Sequence, residues 1–184
     1  MVPRYFTQRD NGAQSDRSCF ASTCAMLAER VKPGSIGAGA NADLDYLNRV
    51  LRHGDTIHAH AQIAALAELG IKARLVRNGG QSLIDQQVKR WGGIALGYIH
   101  RGPLDALDNS SAGHWAMCWM ATDVSLTLHD PMGKPHMMTG GFTGESGQSV
   151  TVSREAFAKR WELTGPPYRY APGHGWALVI DGVA

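Results

Sequence analysis

Three side chains in this sequence are of the types that act together in nucleophilic attack on a carbonyl: Cys19, His114 and Asp130. Cys19 lies in R-S-C-F-A-S-T-C-A-M-L-A-E-R, from Arg17 to Arg30. Ser18 is a favourable N-cap, and Ala21, Ala25, Met26, Leu27 and Ala28 are strong helix formers, so the spacing predicts a helix with the cysteine in its first turn. A thiol at the positive end of a helix has its anion stabilised by the dipole and by unpaired N–H groups. That environment suits a nucleophile.

His114 opens G-H-W-A-M-C-W-M and Asp130 closes T-L-H-D, each a period-two strand pattern. The turn at Thr122, Asp123 and Val124 joins them, and the two residues stand equally far along the chain from Thr122. In-register antiparallel pairing then brings them to the same end of a hairpin. A carboxylate there holds an imidazole in one tautomer while the imidazole takes a proton from a thiol.

The elements that position these residues follow from periodicity and turn signals. The cysteine helix stops near Val31, because Pro33 and Gly34 follow. Leu44, Leu47, Val50 and Leu51 mark a second helix ending at Gly54, and Thr56 is read as the cap of a third, His58 to Leu69, which Gly70 stops. Ile71 to Val76 reads as a strand and Leu83 to Trp91 as a fourth helix. After Gly93 strands dominate: Ile94 to Ile99, Trp115 to Ala121, Ser125 to Leu128, Ser149 to Val152 and Trp176 to Ile180. One helix, Arg154 to Trp161, interrupts them, with Ser153 as N-cap and Glu155 in its first turn. Helices first and strands afterwards indicate an α+β domain over residues 1–184, helical over about 1–92 and sheet over about 93–184. Residues 1–17 read as a strand or extended arm and then a loop turning at Asn11 and Gly12.

The chain resembles the papain-like cysteine peptidases, most closely the bacteriocin-processing, double-glycine type. The resemblance rests on V-P-x-x-x-Q ending at Gln8, S-C-F-A-S-T-C-A-M-L, G-H-W, D-P-M-G, S-R-E-A-F-A-K-R-W and the closing G-W-A-L-V-I. It implies a papain-like fold, with Cys19 as nucleophile, His114 as general base and acid, Asp130 as orienting residue and Gln8 as oxyanion donor beside the Cys19 amide. Two departures stand out. Phe20 occupies the position after the nucleophile, where relatives carry Gly. The stretch from Gln8 to Cys19 is longer than in papain, which makes Gln14 a rival oxyanion donor.

The remaining polar residues take plainer readings. Cys24 and Cys118 are small buried hydrophobes, and three cysteines in all leave at least one thiol free. His53, His58 and His60 lack partners at zinc-site spacing, with His58 and His60 placed on different helix faces, so no metal and no cofactor is expected. His129 points away from Asp130 along the strand. Trp119, Trp161 and Trp176 are assigned to the core, and Trp115 flanks the base. Neither Gly79-Gly80 nor Gly140-Gly141 fits a phosphate-binding pattern.

A net charge of +2 with scattered basic residues excludes nucleic acid as the expected partner. No stretch has the length of a membrane span, and no signal peptide is recognised, so synthesis in the cytoplasm is expected. The expected activity is hydrolysis of peptide or peptide-like amide bonds. Two settings are considered: a phage or bacterial lysis enzyme (endolysin) cutting peptidoglycan stem peptides, and a dedicated processing peptidase. An idle peptide-binding module and an acyltransferase are the alternatives.

Overall fold

Every residue from Phe20 to Ala28 is buried, which makes the cysteine helix a core element rather than a surface one. The computed structural model describes residues 1–107 and 113–184. The helix, α1 (Cys19–Val31), is followed by α2 (Ala42–His53) and α3 (Ala59–Glu68). Then come β1 (Ile71–Gly79), α4 (Gln81–Trp91), β2 (Ile94–Ile99), β3 (Gly113–Ala121) and β4 (Ser125–Asp130). A small ribbon of β5 (Lys134–Pro135) and β6 (Phe142–Thr143) precedes β7 (Gly147–Ser153), α5 (Arg154–Trp161), β8 (Glu162–Thr164) and β9 (Arg169–Val183). The architecture is α+β, the cysteine helix packing on an antiparallel sheet.

The main sheet runs β1-β9-β2-β3-β4-β7, with β8 added to β9. Each pairing is antiparallel. Its first strand comes from the helix-rich part of the chain, so the sheet stitches the two ends of the sequence together. Side chains alternate between its faces. Ala95, Met117, Leu178 and Ile180 meet α1, α2 and α3 on one side, whereas Leu96, Tyr98, Ala116, Cys118, Ala177 and Val179 join Ile84, Phe157 and Trp161 of α4 and α5 on the other. Each large apolar side chain fully buried in these layers contributes about 1.5–3 kcal/mol.

Helix α5 follows its sequence signal closely, the Ser153 hydroxyl accepting from the Ala156 amide at 3.3 Å. Two other expected caps are used differently. Ser18 is the N-cap residue of α1, but its side chain makes no cap bond and instead accepts from Asn11 Nδ2 at 3.1 Å. Thr56 does not cap α3; its hydroxyl donates to the Arg17 carbonyl at 2.9 Å, and His58 holds the N-cap position. Both hydroxyls serve the loop in front of Cys19. The rings of His58 and His60 lie side by side, 5.2 Å apart, rather than on separate faces, because His58 precedes the first helical turn. Among the described residues no cluster of metal-ligating side chains forms, and no helix is long and apolar enough to cross a membrane.

Candidate active site

The residue before α1 and the residues inside it fasten the helix start to its surroundings. The Asn11 amide nitrogen lies among Ser18 Oγ, Ser22 Oγ and Asp43 Oδ2, at 3.1, 3.0 and 3.2 Å, and Ser22 Oγ donates to Asp43 Oδ2 at 2.7 Å. Burial raises the Asp43 carboxyl above its ordinary value, against the lowering effect of those bonds. On the sheet side, Thr23 Oγ1 donates to the Trp115 carbonyl at 3.0 Å, which ties α1 to the residue beside His114. Cys19 sits half-exposed at the first helical position, where its backbone N–H is one of the orphan donors of a helix start.

Asp130 is completely buried and His114 nearly so. His114 Nε2 donates to Asp130 Oδ1 at 2.9 Å, since the carboxylate can only accept; the proton on Nε2 leaves Nδ1 for the thiol. Burial alone disfavours the imidazolium, but the Asp130 carboxylate and the neighbouring Cys19 thiolate outweigh it and raise His114 to about 10. The two residues are not cross-strand partners. The register of β3 with β4 sets Met117 opposite His129, with a bulge between Cys118 and Met120. Extending that register places Asp130 opposite Ala116, two residues from His114, so the pair meets on the diagonal of one sheet face. The in-register expectation was wrong in its pairing, though the two side chains do meet.

Two further bonds fix the carboxylate. Tyr98 OH donates to Asp130 Oδ2 at 2.7 Å, and the Met132 amide donates to Oδ1 at 2.9 Å. Tyr98 stands opposite His114 in the pairing of β2 with β3, and its ring meets the imidazole edge-on. Burial and the nearby Asp130 charge push the Tyr98 phenol well above its ordinary value, so it stays a donor. Sequence reading missed Tyr98, because only strand register brings it to the site. Tyr98→Phe strands a buried lone pair on Asp130 and is expected to destabilise the protein by about 1–3 kcal/mol. Urea denaturation checks the effect.

The N-terminal arm is extended but joins no strand. It is sewn instead to the corner after Asp130: Tyr5 OH donates to the Asp130 carbonyl at 3.0 Å, Thr7 Oγ1 and the Gln8 amide donate to the Pro131 carbonyl at 3.1 and 2.9 Å, and Arg9 Nε donates to the Met132 carbonyl at 2.7 Å. This places Gln8, in a 3-10 turn over Gln8–Asp10, beside both the corner and the loop to Cys19. Its buried Nε2 donates one hydrogen to the Ser15 carbonyl at 2.5 Å, leaving a second N–H. Gln14 lies in a second 3-10 turn, half-exposed, and its side chain makes no hydrogen bond among the described residues.

The other thiols and the next histidine are buried. Burial pushes the Cys118 thiol up to about 12 and Cys24 higher still. His129 is enclosed, bonded to the Pro3 carbonyl at 3.0 Å and the Ser149 amide at 2.9 Å, and burial lowers it below its ordinary value.

No family model matches the sequence, and no curated protein matches it in sequence. Solved structures do match in fold. The peptidase domain of Streptococcus ComA, a bifunctional ABC transporter involved in a quorum-sensing pathway, is 13% identical with a TM-score of 0.54, over 97% of this chain and 95% of that one. A Bacillus anthracis protein described as a C39-like peptidase is 13% identical with a TM-score of 0.60, over 100% and 98%. At that identity the likeness is one of fold, and the fold is that of papain-like C39 peptidase domains.

Proposed function

We propose that this protein is a cysteine peptidase in which Cys19, His114 and Asp130 form the triad. The observation that carries the reading is the 2.9 Å bond from His114 Nε2 to a buried, fully bonded carboxylate, on the ring whose other nitrogen is left for the half-exposed thiol at the start of α1. The Cys19 thiolate adds to the substrate carbonyl, and the C–S bond forms as the carbonyl electrons move to oxygen. The Cys19 backbone N–H and the second Gln8 Nε2 hydrogen stabilise that oxygen. The imidazolium gives its proton to the amine as the C–N bond breaks. His114 then takes a proton from water, which attacks the thioester and frees the acid and the thiolate.

The substrate class is a peptide, in line with the peptidase fold. Stem peptides of peptidoglycan, cut by a phage or bacterial lysis enzyme, are one member of that class, and a single protein processed at one site is another. Alkylation tests the chemistry. Native protein treated with iodoacetamide is expected to lose peptide hydrolysis in step with modification of Cys19, while the enclosed Cys24 and Cys118 stay free by mass spectrometry. Full hydrolysis with Cys19 completely alkylated overturns the reading.

A further inference from the structure

Residues 9–18 run between Gln8 and Cys19, and a segment of that length does not by itself hold its two ends in a fixed relation. Near Cys19 it is tied by exposed groups: Arg17 Nη2 donates to Asp55 Oδ2 at 2.6 Å, with the Arg17 side chain 52% exposed. An ion pair in contact with water contributes little, so the main restraint lies elsewhere. Asn11, Ser18, Ser22 and Asp43 are all at least nine-tenths buried. They come from the segment itself, the N-cap of α1, the body of α1 and the first turn of α2.

Asn11 is the member common to all of these contacts. Its backbone N–H donates to the Gln8 carbonyl at 3.1 Å, while its side-chain nitrogen lies among the Ser18 and Ser22 hydroxyls and the Asp43 carboxylate. One residue thereby joins the turn that carries Gln8 to the residue before Cys19 and to the residue three beyond it. Asp43 fixes the group to a second helix, because it also accepts from Ser22 Oγ at 2.7 Å. The Gln8 side chain is committed to the Ser15 carbonyl, so the course of the segment also sets where its second N–H points. Deleting one member leaves buried polar partners unsatisfied, which favours a single arrangement of the set.

We propose that Asn11 and Asp43 are positioning residues for peptide hydrolysis: with Ser18 and Ser22 they hold the Cys19 N–H and the Gln8 side-chain amide at the spacing that one carbonyl oxygen requires. The proposal rests on the peptidase reading and deepens it. Neither residue lines the cleft into which Cys19 opens. Their loss therefore leaves substrate affinity in place and slows the step in which charge builds on that oxygen. A donor displaced by about 1 Å is enough to cost a large factor in rate.

The test uses one quenched-fluorescence peptide, selected from a library as cleaved by the unsubstituted protein, with kinetics measured well below each variant's Tm. Asn11→Ala and Asp43→Leu are each expected to lower kcat about 10-fold or more with KM within about 3-fold. The aldehyde of the same peptide adds to the thiol and puts an oxygen where the oxyanion forms, so its affinity should weaken in step with kcat/KM. Asp43→Asn keeps an acceptor for Ser22 and Asn11 and supplies a donor at Oδ1, which is buried and unpaired among the described residues. It should restore kcat to within about 3-fold of the unsubstituted protein. Ser22→Ala places a strong helix former in α1, so it tests the set even if the larger changes prevent folding, and kcat should fall at least about 3-fold. An unchanged kcat in Ser22→Ala or in folded Asp43→Leu, a loss that appears in KM, or a loss that Asp43→Asn does not recover overturns the proposal and leaves the peptidase reading standing. A library in which the unsubstituted protein cleaves nothing removes both.

Discussion

Cys19→Ala and His114→Ala are each expected to reduce kcat/KM for peptide hydrolysis by at least about 10³-fold, and Asp130→Asn by about 10²–10⁴-fold. In the proposed mechanism the three act as one unit, so the Cys19→Ala, His114→Ala double variant should be scarcely worse than either single one. Asp130→Asn deserves the closest measurement because its effect has two separable parts. An amide in place of the carboxylate no longer imposes one tautomer on His114, since the group facing Nε2 can then donate as well as accept. It also removes the charge that favours the imidazolium.

The second part has a definite sign. His114 lies at about 10 in the folded protein, above its ordinary 6.5, with Asp130 the largest raising influence. The imidazolium therefore contributes stability that is fully present below 6.5 and is lost as pH rises through about 10. The alkaline limb of the activity profile should fall near that upper value in the native protein and move toward 6.5 in Asp130→Asn. An alkaline limb that stays in place in Asp130→Asn would mean that another group sets the thiol's partner. His129 works in the opposite direction: buried neutral and lowered, it makes stability fall as pH drops below 6.5.

How much of this site can be read in the sequence depends on whether a signal is local. Helix α5 and strand β2 match their expected spans because a cap, a periodic face or a glycine break marks each end. Cys19, His114 and Asp130 are legible as types at a helix start, a strand start and a strand end. Their contact is not, because the bulge between Cys118 and Met120 shifts β3 against β4, and nothing near Trp119 announces a bulge. Tyr98 is invisible for the same reason: it reads as one more apolar strand residue until β2 is registered against β3. Ser18 and Thr56 carry the right hydroxyls for caps, but tertiary partners, Asn11 and the Arg17 carbonyl, take them first. Phe20, Gly97, Trp115 and Trp176 become neighbours only once three strands and a helix are in place. Local chemistry is written in the chain, whereas cross-strand chemistry waits for register.

The same dependence on register makes Gly147 the backbone position whose alteration should reach furthest into the site. It pairs with Asp130 where β4 meets β7, and its amide donates to Tyr5 OH, which in turn donates to the Asp130 carbonyl. A Cβ at Gly147 would overlap the Asp130 carbonyl oxygen, stand 2.5 Å from the Gly133 carbonyl oxygen and crowd the Asp130 Cβ at 2.9 Å. These are backbone atoms or fixed to it, so no side-chain rotation relieves them, and the strand carrying Asp130 must move. Gly147→Ala is expected to cost about 3 kcal/mol or more of stability and to lower Tm by about 6–12 °C. Because displacement is delivered to Asp130, hydrolysis measured well below the lowered Tm should still be about 10-fold or more below the unsubstituted protein, since small misplacements of a catalytic group are costly. Gly182→Ala is the control: its added Cβ meets nothing within 4 Å, and both stability and activity should be retained. Thermal melts and low-temperature kinetics on the two variants decide it, and a Gly147→Ala protein as stable and active as the control would mean that the β4 corner is free to shift without disturbing the imidazole.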